Sequence, residues 1–184
     1  MTHHQIFYCA VLFLILAVVT IFDFKYNALK DEAVAEVKNK PFSFSRVQLS
    51  WWTVIVCSSF IACVFVFREL PNLDPSLLFL LGIAGGTGVA SKVIDAKNFQ
   101  QLSAVESAGF FSDILNKGDI HRLQALIFNS AIGVWFVYQV ALNLNTILTD
   151  KFTINMILPS VPNYILALLF MSNALYLGNK TSEQ

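Results

Sequence analysis

Five runs without a single Lys, Arg, Asp or Glu set the limits on what this chain can fold into. They are Gln5–Phe22, Val47–Phe67, Pro75–Ser91, Leu123–Thr149 and Phe152–Asn179. A helix needs about 20 apolar residues, within a range of roughly 17–25, to cross the hydrocarbon of a bilayer. Each run supplies that length, so the expected fold is all-α and integral to the membrane, with five transmembrane helices. The last two runs are longer than a span requires. Pro159 and Pro162 place the start of the fifth helix near Pro162, because proline is tolerated in a first turn and not in a helix interior.

Composition agrees with this reading. Of the 184 residues 56% are hydrophobic and only 13% charged, whereas a soluble domain carries about 25% charge. The formal net charge is zero, which gives no footprint for nucleic acid. Met1–Gln5 contains no Lys or Arg, and no A-x-A site directly follows the first run. That run is therefore read as an uncleaved span and not as a secretory signal.

Basic residues orient the spans. Segments 23–46 and 92–122 and the tail after 179 contain ten of the twelve Lys and Arg, leaving Arg68 and Lys151 for the other side. The expected topology is N-out/C-in. A weak duplication divides the chain further. Ser45-Arg-Val-Gln48 and His121-Arg-Leu-Gln124 open the second and fourth runs. Leu70-Pro71…Leu78…Leu80-Leu81…Lys92 matches Leu158-Pro159…Leu166…Leu168-Leu169…Lys180. Within a single membrane domain, residues 1–41 form the first span and its inward extension. Residues 42–94 and 121–180 form two hairpins of a parallel repeat, and 95–120 is an interfacial linker. In the extension Leu29, Ala33 and Val37 recur every four residues, which predicts an amphipathic helix continuing the first span.

Five features are candidates for function. Arg46, Lys92, Arg122 and Lys180 would form a basic rim at the cytoplasmic face, serving to anchor the spans or to hold an anionic headgroup or acidic partner. Gly82, Gly85, Gly86 and Gly88 give small-x-x-x-small spacing on the third span, the pattern by which membrane helices approach closely within a chain or between subunits. Phe110, Phe111, Ile114 and Leu115 predict a short interfacial helix that either lies on the membrane or docks a cytoplasmic protein. Trp51 and Trp52 fit an interfacial aromatic belt. Asn129 and Gln139, about 80° apart around one helix, are candidates for a polar seam.

Several classes are disfavoured. No ionisable residue falls within the core of any run, as pumps, proton-coupled transporters and voltage sensors require. No H-E-x-x-H or G-x-S-x-G motif is present, so no enzyme is expected. Cys9, Cys57 and Cys63 lack metal-ligand spacing, and no metal or cofactor is expected.

The blocks Arg46-Val-Gln48…Trp51-Trp52, Leu81-Gly-Ile-Ala-Gly-Gly-Thr87, Gly109-Phe-Phe-Ser-Asp-Ile-Leu115 and Arg122-Leu-Gln124 resemble uncharacterised bacterial multi-pass inner-membrane proteins that carry such blocks in that order. The resemblance spans about residues 42–180 and departs at Met171-Ser-Asn-Ala174, where a second glycine-rich block is replaced. It implies a bacterial inner membrane, a paired-hairpin body and no assigned activity. The expected function is a self-associating small membrane subunit, a pore or platform that sits in lipid and docks a cytoplasmic protein. The alternative is a non-conducting sensor or anchor that recruits an effector, as small membrane components of bacterial antiviral defence systems do.

Overall fold

Apolar runs of this length satisfy their backbone internally by becoming helices, and the computed structural model is built on that rule. It describes residues 2–30, 40–97, 107–115, 120–145 and 157–182. In chain order the helices are α1 (His3–Tyr26), α2 (Phe44–Phe67), α3 (Pro75–Lys97), α4 (Phe110–Leu115), α5 (Ile120–Asn145) and α6 (Asn163–Ser182). Among the described residues the only extended pairing is an isolated antiparallel bridge between Lys30 and Phe42. Four helices are long and apolar enough to cross a membrane: α1, α2, Pro75–Ala96 of α3, and α5. Four such helices in one chain make this a multi-pass membrane protein.

Local chemistry sets the helix ends. Asn27 adopts the left-handed conformation at φ 53° and closes α1, while the Asp23 carboxylate accepts the Leu29 N–H at 2.8 Å. α1 therefore ends at Tyr26, because a left-handed residue cannot propagate a right-handed helix, and of the expected amphipathic face only Leu29 is described. Ala33 and Val37, the rest of that expected amphipathic face, lie outside the described residues. Asp74 opens α3 by accepting the Ser76 N–H at 2.8 Å. The helix α6 begins directly after Pro162, whose carbonyl accepts the Ile165 and Leu166 N–H groups. Its 20 residues include Asn163, Asn173, Asn179 and Lys180, which leaves it more polar than the other four long helices.

Three hydrogen bonds and one ion pair fix the directions of the helices. Gln48 at the start of α2 meets Asn129 in the first half of α5, and Lys180 near the end of α6 meets Asp95 near the end of α3. The α2–α3 and α5–α6 pairs therefore run the same way. We call the end where α2 and α5 begin the basic end. At the opposite end Gln5 donates to the Ala141 carbonyl and Asn143 to the Ile157 carbonyl. Segment 157–162 is further held by the Val161 N–H, which donates to the Ser76 hydroxyl.

The main core contains Tyr8, Trp52, Ile55, Cys63, Leu77, Leu80, Phe136, Val140 and Leu169. A second small cluster at the basic end joins Phe44, Ile114, Ala125 and Tyr176. Much of α1 is outside both. Phe13, Leu14, Ile21, Phe22 and Phe24 of α1 are exposed, as lipid-facing side chains are. Among the described residues apolar side chains make up most of this core.

Candidate functional site

Close approach of two helices requires a small residue at the crossing, and the structure puts that residue where the sequence did not direct attention. A Cβ placed on Gly133 of α5 would collide with the Trp51 indole nitrogen and would stand 2.8 Å from Ile55 Cδ1 on α2. By contrast, a Cβ on Gly82, Gly85, Gly86 or Gly88 would meet nothing within 4 Å. Packing inside the chain thus does not use the glycine stripe of α3. The only prior signal for Gly133 was a lone glycine inside a helical run, a weak hint of a packing role.

The Gly133 crossing allows a buried polar knot at the basic end. Trp51 Nε1 donates to the Asn129 backbone carbonyl at 3.1 Å. Trp52 Nε1 and Gln48 Nε2 both donate to Asn129 Oδ1, at 2.7 and 3.1 Å, and Asn129 Nδ2 donates to the Ala125 carbonyl at 2.7 Å. Trp52 is 1% exposed, so its expected place in an interfacial aromatic belt is corrected. An indole N–H buried at this depth needs an acceptor, and Asn129 supplies one. Gln139 lines a separate groove with Asn72, Trp135 and Pro159 at the other end, so the two amides do not form one polar seam.

The rim cations have partners within the chain. Lys180 Nζ lies 2.6 Å from Asp95 Oδ1 and donates to the Ser91 hydroxyl at 2.6 Å. Arg122 stacks over the Tyr176 ring at 5.4 Å, and Arg46 donates to the Ala28 carbonyl at 3.3 Å. Lys92 is exposed. Asp95 was missed because the charge-free run ends at Ser91, whereas α3 continues to Lys97 and buries this carboxylate.

The short α4 helix forms where the sequence predicts it. Ile114 is seated in the basic-end cluster and 1% exposed, Leu115 is half-buried, and Phe110 and Phe111 are exposed. Asp113 fastens the segment. Its carboxylate accepts the Phe42 N–H at 3.2 Å, the Ser107 hydroxyl at 2.6 Å and the Ala108 N–H at 3.0 Å. Phe110 packs edge-on against Phe42 at 5.1 Å, which leaves Phe111 as the residue aimed outward for a partner or lipid.

A groove of about 760 Å³ lies between α3 and α6. Gly82 and Gly86 line one wall, Ala167 and Ala174 the other, with Phe79 and Phe170 among the surrounding apolar residues. Asn173, which is 2% exposed, also lines it, and neither its amide nitrogen nor its oxygen has a hydrogen-bond partner. Among the described residues no group of His, Cys, Asp and Glu has the arrangement of a metal site. No protein-family model, curated protein or solved structure matches the chain.

Proposed function

We propose that this protein is a self-associating subunit of the bacterial inner membrane. Two copies would meet through the groove between α3 and α6, and the assembly would serve as a platform for a cytoplasmic partner. The open glycine face of that groove carries this reading. Gly82 and Gly86 line its wall, a Cβ on either would meet nothing within 4 Å, and small residues at this spacing are the surface by which two membrane helices come close. In this reading α6 is the fifth span, the N-terminus is outside, and Phe111 on α4 faces the cytoplasmic partner.

The described interior of one chain is mainly apolar, which supports a pore only as several copies around a shared axis. The same interior favours, as a second reading, a non-conducting anchor that recruits an effector. Counting subunits by stepwise photobleaching of labelled protein in liposomes tests self-association. Wild type should show two or more copies per particle. Gly82→Leu with Gly86→Leu should shift the distribution to single copies, because these side chains fill the groove without meeting an atom of their own chain at Cβ. Single copies for wild type at all protein-to-lipid ratios would end the proposal. Ion flux from the same liposomes then separates pore from anchor.

A further inference from the structure

Unpartnered polar groups from three elements converge on the groove at the end opposite the basic rim. It measures about 700 Å³ and is lined by Trp135 and Gln139 of α5, by residues 72–75 at the entry to α3, and by 158–160 ahead of α6. Trp135 and Gln139 stand four residues apart and so share one face of α5. Gln139 is half-buried, and among the described residues its amide has no hydrogen-bond partner. The Trp135 indole N–H and the Ser160 hydroxyl likewise have none. Asp74 gives one carboxylate oxygen to the Ser76 N–H at 2.8 Å and keeps the other free. None of these groups is among the unpartnered atoms sealed from solvent, so a ligand in the groove can reach them.

The lining selects by chemistry. No Lys, Arg or His contributes to it, and Asp74 repels negative charge, so an anion is excluded. An ammonium would answer the carboxylate alone, because it only donates and leaves the Trp135 N–H and the Gln139 NH2 without acceptors. Asp74 also has less need of a cation, since it caps α3 and the N-terminal dipole of that helix offsets its charge. A hydroxyl both donates and accepts. A ligand with several hydroxyls can therefore satisfy the carboxylate, the amide and the indole N–H together. The indole adds a flat apolar face with a negative centre, to which C–H groups are drawn. The groove volume falls within the roughly 300–1,000 Å³ of small-molecule sites.

We infer that this groove binds a neutral, hydroxyl-rich ligand of the pyranose class, with its C–H face on Trp135. Its hydroxyls donate to Asp74 and exchange hydrogen bonds with Gln139 and Ser160. The groove shares no lining residue with the one between α3 and α6, so this site does not depend on self-association.

The test titrates glucose, galactose and N-acetylglucosamine into protein held in a detergent without a sugar head, reading calorimetric heat and tryptophan emission. Glucuronate as an anion and ethanolamine as a cation are titrated in parallel. Saturable binding of at least one neutral sugar, tighter than both charged probes, is expected. Of the three tryptophans two lie in the knot at the basic end, so the emission change should come from Trp135 and vanish in Trp135→Phe. Gln139→Leu takes no hydrogen bond from the fold, so it should weaken binding about fivefold at unchanged or higher stability. Asp74→Asn keeps a capping side chain and should weaken binding to a similar extent. Heats that never saturate for all three sugars, a charged probe binding as tightly as the best sugar, or full affinity in a folded Gln139→Leu protein would overturn the inference. A tryptophan that only anchors its span at the interface gives the first of these results.

Discussion

Replacing Gly133 by alanine tests whether one glycine sets the distance between α2 and α5. The new methyl would overlap the Trp51 indole nitrogen and stand 2.8 Å from both Trp51 Cε2 and Ile55 Cδ1. Overpacking a fitted interior by one methyl costs about 1–3 kcal/mol. Displacing the indole would also remove its 3.1 Å bond to the Asn129 carbonyl, which adds about 0.6 kcal/mol if it behaves as an average interhelical hydrogen bond in a membrane. Against this stands the helix-propensity gain of alanine over glycine, up to ~1 kcal/mol. The net expectation is a loss of about 1–3 kcal/mol. Unfolding in mixed micelles by rising SDS mole fraction, followed by tryptophan emission, measures it. Alanine at Gly82, Gly85, Gly86 or Gly88 supplies the internal control. With nothing within 4 Å, those variants should match or slightly exceed wild type under monomeric conditions. Trp51→Leu should recover much of the Gly133→Ala loss in the double variant. A Gly133→Ala protein as stable as wild type, with Trp51 emission unmoved, would refute the reasoning.

Other outcomes follow from named groups. Asp95→Asn or Lys180→Met alone should cost about 3 kcal/mol, the lower end for breaking a buried pair, because Lys180 at 13% exposure keeps some contact with water. The double replacement Asp95→Leu with Lys180→Met should unfold close to wild type, and three unfolding curves decide it. Asn129→Leu leaves Trp52 Nε1 and Gln48 Nε2 without an acceptor and should cost about 2–6 kcal/mol at roughly 1–3 per orphaned donor. A red shift of tryptophan emission should accompany that loss. Asp113→Ala removes three hydrogen bonds to a carboxylate, each worth about 1.5–3 kcal/mol at most. Limited proteolysis within 107–115 should accelerate severalfold with little change in global unfolding.

Helix positions were legible in the sequence because one signal, absence of charge over a span's length, dominates membrane folding. The runs from Gln5, Val47, Pro75 and Leu123 fall on α1, α2, α3 and α5, and Pro162 marks the start of α6. The same signal failed where polar groups are buried in pairs. Lys92 ended a charge-free run, so its helix was cut short at Ser91 and Asp95 was passed over, although Lys180 makes that carboxylate tolerable inside. Trp52 was assigned to the interface because indoles usually keep their N–H there. The acceptor that frees it from water lies 77 residues away, beyond the reach of any local pattern. Glycine spacing identified a surface on α3 but not its occupant, and the lone Gly133 carried the internal crossing.

The Asp95–Lys180 pair joins positions 85 residues apart, so synthesis makes the carboxylate long before its ammonium. Without Lys180 the carboxylate loses its cation and a buried pair is broken. Seating the last turn of α3 in the interior is therefore coupled to the presence of α6.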